Sequence, residues 1–157
     1  SGAIALSIAV EVPSSRVFAC ELSEAAIKYT EKNFAKYGHY AQLRQGDLAE
    51  AFPDLDGSVD LVISNPPYIP DEMVPIYPEV HLHDPKLALY GGSDGLDIVR
   101  KVEVTAKRLL KPGGYLIIEH ADMQGESVRA ILLATGWEDV KTHQDLAGRD
   151  RAVSARR

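Results

Sequence analysis

Cysteine is nearly absent from this 157-residue chain. The lone Cys20 excludes an internal disulfide, and no Cys/His grouping has zinc spacing, so no metal site is expected. Long apolar runs are missing too: none reaches the roughly 18 residues that a bilayer span needs. Residues 1–6 carry no basic n-region, which argues against a secretory signal. Basic excess is also lacking, with 17 Lys and Arg against 23 Asp and Glu and a net charge of −6. Without a basic patch, the counterion-release term that drives most nucleic-acid affinity is small. A protein or small-molecule substrate is therefore favoured over nucleic acid. What remains is ordinary: 45% hydrophobic and 25% charged residues, enough for one domain with a core. A reduced, cytoplasmic setting is expected, with no membrane partner.

Periodicity orders the chain. Residues 3–10 are small and apolar and predict a buried helix, ended by Pro13. Residues 16–21 predict a buried strand that ends on the acid Glu21. Ser23 is a good N-cap and Gly38 a good stop for a helix whose inward stripe is Ala26, Ile27, Thr30, Phe34 and Tyr37. Residues 41–45 predict a short strand, residues 51–57 a loop and residues 59–64 a further strand. Residues 69–93 read as a long irregular excursion, and loops of that length are usually functional or mobile. A helix over about 95–110, a Lys111-Pro112-Gly113-Gly114 turn, a strand at 115–119 and a helix over about 123–135 follow. Strands at about 137–143 and 151–156 close the chain. With no helix between them, they should pair antiparallel. The alternation predicts an α/β, Rossmann-like sheet, mostly parallel with a C-terminal antiparallel hairpin, the layout of class I methyltransferases. No strand precedes the first helix, so residues 1–157 are expected to be a catalytic domain cut inside its glycine loop, without its first strand.

One run carries most of the chemistry. A strand followed at once by Asn65-Pro66-Pro67-Tyr68 is a stiff loop, because proline fixes φ and has no N–H. The Asn65 side-chain oxygen and the Pro66 carbonyl can accept the two N–H bonds of a planar amide or amine nitrogen. Holding them orients the nitrogen and favours the pyramidal geometry of an attack on a methyl carbon. Tyr68 can stack on the planar group, and positioning supplies much of the rate. Such a donor methyl implies S-adenosyl-L-methionine.

In open α/β sheets the cofactor lies at the carboxyl ends of the strands. Ser1-Gly2 would be the remnant of the glycine turn that lets backbone approach it. Glu21, 19 positions after Gly2 (21 − 2), has the spacing of an acid on ribose hydroxyls; it would equally cap the next helix. Asp47 could accept from the adenine amine while Leu48 packs on the ring, or it could make an Asx turn after Gly46. The histidines form no ligand set: His39 and His143 read as solvated, as do His81 and His83 in the long loop, and His120 reads as a satisfied structural histidine. Arg149, Arg151, Arg156 and Arg157 read as a solvated basic edge.

Several stretches together narrow the family. They are VDLVISNPPYIP at 59–70, HDPKLALYGG at 83–92, Asp94-Gly95-Leu96, Leu110-Lys111-Pro112-Gly113-Gly114, Ile118-Glu119-His120, and the run from Arg149 to Val153. Over essentially its whole length the chain resembles the HemK/PrmC-type release-factor glutamine N5-methyltransferases. His83 and Asp84 depart from that family's usual aromatic and Glu. The resemblance implies methylation of the glutamine side chain in the Gly-Gly-Gln motif of a peptide-chain release factor. In that reading Asn65 and Pro66 hold the amide, Pro67 stiffens the loop, and Tyr68 lines the pocket. Gly2, Glu21, Asp47, Leu48 and Asn65 bound the cofactor side. It also implies an upstream helical domain that grips the release factor. Two other readings share the motif or the fold: an adenine-N6 nucleic-acid methyltransferase, and a non-catalytic fragment with this fold.

Overall fold

A computed structural model of the chain describes residues 1–38, 41–75 and 78–157. They form two units, Ser1–Pro53 and Asp54–Arg157, each with its own sheet.

The first unit holds α1 (Ala3–Glu11), β1 (Phe18–Glu21), α2 (Glu24–Tyr37) and β2 (Gln42–Gln45). β1 and β2 pair in parallel, Phe18 against Gln42 through Glu21 against Gln45. α2 begins and ends where its caps predict: the Ser23 hydroxyl accepts from the Ala26 N–H at 3.2 Å, and Gly38 takes φ 63°. Its inward stripe is smaller than expected. Thr30 and Phe34 are buried, Ala26 and Ile27 are half-buried, and Tyr37 is exposed. Thr30, the polar member, satisfies its hydroxyl on the Ala26 carbonyl at 3.2 Å.

α1 corrects one expectation. It is apolar all round but not buried all round: only Ala5 and Leu6 are buried, while Ile4 and Val10 are exposed. Ala5 and Leu6 meet Phe34 and the partly buried Val17, Ala19, Ala41 and Leu43, so one face of α1 makes the core contact. β1 is likewise half-buried rather than buried. Phe52 adds a second apolar group, edge-on to Phe18 at 5.5 Å and under the Arg44 guanidinium at 4.6 Å. The buried ring holds Phe52 at φ 52°, a conformation L-residues rarely adopt.

The second unit holds β3 (Val59–Ser64), α3 (Pro78–His83), α4 (Asp97–Leu109), β4 (Leu110–Glu119), α5 (Gly125–Ala134), β5 (Glu138–Gln144) and β6 (Asp150–Arg156). Its strand order is β3-β4-β6-β5. β3 and β4 are parallel, while β6 runs antiparallel to both β4 and β5; for β5 and β6 the absence of a crossover helix requires it. Leu116 and Ile118 of β4 are fully buried with Val153 and Ala155 of β6 and Val128 and Leu132 of α5. α4 buries Val99, Val102, Ala106 and Leu109 at helical spacing. Buried Glu103 on the same helix accepts from the Trp137 indole N–H at 2.7 Å.

Two loop expectations change. The excursion after β3 is not wholly irregular: it contains α3 and a 3₁₀ turn at Lys86–Ala88. Stretch 51–57 likewise holds a 3₁₀ turn at Pro53–Leu55. The Lys-Pro-Gly-Gly turn lies inside β4 as a bulge, since Val59 pairs with Leu110 but Leu61 pairs with Tyr115. Gly114 permits this, because a Cβ there would press on the Lys111 and Asp60 carbonyls at 3.0 and 3.2 Å.

Candidate active site

The Asn65-Pro66-Pro67-Tyr68 run leaves the carboxyl end of β3. Asn65 is exposed, and among the described residues its side-chain amide has no hydrogen-bond partner. Pro66 is buried, and Pro67 and Tyr68 are half-buried. Proline stiffness alone does not hold this loop. The Ile69 N–H donates to Leu89, the Gly91 N–H to Ile69 and the Asp71 N–H to Gly92, at 2.9, 2.9 and 3.0 Å. Ile69 and Tyr90 thus make a short parallel bridge. The returning strand comes so close that a Cβ on Gly91 would sit 2.6 Å from the Pro67 carbonyl oxygen. A Cβ on Gly95, at φ 75°, would overlap the Tyr68 carbonyl oxygen.

The next turn leads into α4. One Asp94 oxygen accepts from the Leu96 N–H at 2.9 Å and from Arg100 at 3.1 Å, and the other accepts from Arg100 at 2.5 Å. Asp97 takes a further Arg100 contact at 3.1 Å. The Arg100 guanidinium, with the Leu96 N–H, lowers the Asp94 carboxyl from the ordinary 3.8 to about 2.

Gln124 reaches the same loop from the other side. It is buried at 8% exposure just before α5. Its amide oxygen accepts from the Ala121 N–H at 3.0 Å. Its amide nitrogen donates to the Tyr68 carbonyl at 2.9 Å and to the Asp94 carbonyl at 3.4 Å.

In the first unit, Glu21 and Asp47 come together at the carboxyl ends of the parallel pair. Glu21 ends β1, and the Gly46 N–H beside Asp47 donates to the Glu21 carbonyl at 3.0 Å. Each acid also bonds locally: one Glu21 oxygen accepts from the Ser23 N–H, and one Asp47 oxygen accepts from the Ala49 N–H, each at 2.9 Å. The Asx turn at Asp47 is thus realised, whereas the cap of α2 is Ser23 and not Glu21. Each carboxylate keeps its second oxygen. Leu48 opens a 3₁₀ turn and is half-buried. Between the acids, Cys20 donates to the Gly46 carbonyl at 3.2 Å, and burial, then the charges of Glu21 and Asp47, push its thiol pKa up. Gly2 caps α1 at φ 71°, where a Cβ would strike the Phe34 ring at 2.6 Å.

A cavity of about 380 Å³ lies between α1 and α2, beside Ser1, Ser7, Asn33 and Tyr37. Of the residues expected near the cofactor only Ser1 lines it, and the geometry at Asn65 and at the two acids is the stronger guide to chemistry. Among the described residues no cluster of His, Cys, Asp and Glu is arranged to hold a metal.

Residues 1–149 match the family model described as a methyltransferase domain. The chain belongs to the methyltransferase-domain family.

This methyltransferase domain is 55% identical over 159 residues to the release factor glutamine methyltransferase of Streptomyces coelicolor, covering 100% of this chain and 56% of that protein. It is 46% identical over 165 residues to the release factor glutamine methyltransferase of Bifidobacterium longum, covering 99% and 56%. It is also 48% identical over 135 residues to the 4-amino-L-phenylalanine/4-methylamino-L-phenylalanine methyltransferase of Streptomyces pristinaespiralis, covering 86% and 46%. The chain therefore spans about half the length of the curated relatives it matches. The crystal structure of a methyltransferase from Pyrococcus furiosus superposes with TM-score 0.73 at 19% identity, over 98% of this chain and 68% of that one. A SAM-dependent methyltransferase from Aquifex aeolicus gives 0.64 at 16%, over 96% and 74%. These likenesses establish the Rossmann-like class I fold.

Other expectations for the methyltransferase domain need amending. His120 is fully buried, but only its Nδ1 has a partner, the Ala121 carbonyl at 2.7 Å; Nε2 has none among the described residues. It is therefore half-satisfied. The arginines of the tail keep to the surface, Arg149 and Arg157 exposed and Arg151 and Arg156 half-buried, but each is also paired. Arg151 binds the His120 carbonyl and Asp145, Arg149 binds Asp145, Arg156 binds Glu138 and Asp139, and Arg157 binds the Leu110 carbonyl. His83 is exposed at the end of α3, and exposed His143 pairs with the Ser154 hydroxyl at 2.7 Å. His39 and the His81 side chain lie outside the described residues. No sequence motif singles out Gln124. Its one local signal was a glutamine in an otherwise ordinary helix start, and its partner Tyr68 lies 56 positions away.

Proposed function

We propose that this domain transfers the methyl group of S-adenosyl-L-methionine to the side-chain amide nitrogen of glutamine in the Gly-Gly-Gln motif of a peptide-chain release factor. One observation carries the reading: an exposed Asn65 at the end of β3, on a loop held by backbone bonds and glycines, in a chain 55% identical to a release factor glutamine methyltransferase.

The chemistry follows from the residues. A glutamine amide is planar and its nitrogen is a weak nucleophile, since the lone pair is delocalised. The Asn65 oxygen and the Pro66 carbonyl would accept its two N–H bonds, drawing the lone pair toward the attack direction. Pro66 and Pro67 keep those acceptors from relaxing, so little reorganisation is needed as the nitrogen becomes tetrahedral. Tyr68 packs beside the amide plane. S-adenosyl-L-methionine, held there, would supply an electrophilic methyl carbon whose bonding pair would stay with the departing sulfur. The surplus proton then departs from the nitrogen to water.

The residues present fit that cofactor. The second oxygen of Glu21 would accept from the ribose hydroxyls, that of Asp47 from the adenine amine, and Leu48 would cover the ring. Gly2 would allow close backbone approach. No helix among the described residues is long and apolar enough to cross a membrane. A substrate in translation termination would put this activity in the cytoplasm.

An aromatic amine is the second reading, favoured by the 48% identity to a 4-amino-L-phenylalanine methyltransferase. Its nitrogen is also planar and delocalised, so the same clamp would serve. The test incubates the full chain with methyl-labelled S-adenosyl-L-methionine and, separately, release factor, 4-amino-L-phenylalanine and adenine-containing DNA. Label on the Gly-Gly-Gln glutamine is expected. Label on the free amino acid alone, or on the DNA alone, would replace this proposal.

A further inference from the structure

We infer that Gln124 is a positioning residue for methyl transfer, holding the Asn65-Pro66-Pro67-Tyr68 clamp in register through the Tyr68 carbonyl. The inference rests on the proposed transfer reaction for its catalytic consequence, but not for its structural part.

Gln124 is buried at 8% exposure and uses both ends of its amide. The oxygen accepts from Ala121 at 3.0 Å, and the nitrogen donates to Tyr68 at 2.9 Å and to Asp94 at 3.4 Å. These partners fix the amide orientation. Turned over, its NH₂ would face the Ala121 N–H and its oxygen would face two carbonyls. One side chain thus ties three backbone segments: the turn after β4, the clamp loop, and the turn before α4. The Tyr68 carbonyl is part-buried, and a carbonyl withdrawn from water needs a partner; Gly91 and Gly95 pack closely beside it, and no backbone N–H of the described residues donates to it. Gln124 supplies that partner.

The consequence reaches Asn65 through rigid chain. Proline φ angles at 66 and 67 are locked, which removes two of the torsions that could absorb a shift of the Tyr68 carbonyl before it reaches the Pro66 carbonyl and Asn65. Glutamate cannot substitute. A carboxylate would present oxygens to the Tyr68 and Asp94 carbonyls and donate to neither. Methionine has similar length and lacks both the donor and the acceptor.

The experiment makes Gln124→Glu and Gln124→Met in the full chain. It measures steady-state transfer to release factor, cofactor affinity by calorimetry, and amide hydrogen exchange. Misplacement of the clamp by about 1 Å predicts a kcat loss of up to roughly 100-fold, with cofactor Kd within about twofold. The exchange of the Ile69 and Gly91 amides should rise by about five- to tenfold, while that of Leu116 and Ile118 in β4 stays unchanged. That split separates positioning from general destabilisation, which would raise exchange throughout β4. If Gln124→Glu does not fold, Gln124→Met decides. Unchanged exchange at Ile69 and Gly91, or unchanged kcat, in a folded variant overturns the inference. If the wild-type chain methylates no release factor, the proposed function falls by itself. The exchange data then judge the anchor: a rise at Ile69 and Gly91 upholds it, and no rise overturns it.

Discussion

In the proposed site Asn65 would act on substrate without holding the fold. Its side chain is exposed and has no partner among the described residues, so truncating it removes nothing that holds the fold. Asn65→Ala is therefore expected to keep its melting temperature and its cofactor affinity while losing kcat by about 10²–10³-fold, the usual effect of deleting one transition-state hydrogen-bond partner. Steady-state kinetics beside calorimetry would check it. Turnover within about twofold of wild type would remove Asn65 from the chemistry. Glu21 and Asp47 behave differently from Asn65. Each already makes a local backbone bond, so each serves the chain as well as any ligand. Their neighbour Cys20 is held protonated, its thiol pKa raised by burial first and by the two acids after it.

At the scale of elements, the start of α4 is fastened electrostatically. Asp94 binds Arg100 and the Leu96 N–H, with its carboxyl lowered from 3.8 to about 2. A carboxyl lowered in the folded state contributes stability that is complete above its ordinary value and is lost as pH falls through its folded value. The melting temperature of wild type should exceed that of Asp94→Asn at pH 5 and above, and the gap should close between about pH 4 and pH 2. Asp94 and Arg100 are each nearly half exposed, so solvent screening keeps the gap small. A gap independent of pH would show that the backbone turn, not the charge, holds α4. The same segment explains its glycines. Gly91 and Gly95 lie against the Pro67 and Tyr68 carbonyls, where any Cβ would displace the clamp. In sequence Gly91 falls in the irregular excursion at 69–93 and Gly95 at the start of the helix expected over about 95–110.

For the whole molecule, the second unit depends on the core of β4. Leu116 is fully buried and sits between β3 and β6, paired with Val62 and Ala155. Leu116→Ala is expected to destabilise by about 2–5 kcal/mol, lost transfer energy plus the cavity left behind. Urea unfolding should show a lower midpoint with an unchanged slope. A loss below about 0.5 kcal/mol would mean the site collapses freely or is wet.

Much of this protein is legible in its sequence. Helix periodicity, the Ser23 and Gly38 caps, the strand that ends at Ser64 and the antiparallel closing pair are set by neighbouring residues, and so could be read from them. Proline chemistry likewise made residues 65–68 a stiff loop on its own evidence. What the tertiary structure decided concerns partners far apart in the chain. It chose the strand order β3-β4-β6-β5, exposed one side of α1, tied down the arginine tail, and brought Gln124 to the Tyr68 carbonyl across 56 positions. Backbone stiffness and capping act within a turn or two of chain. Close packing and buried hydrogen bonds depend on which surfaces meet, and linear spacing carries no record of that.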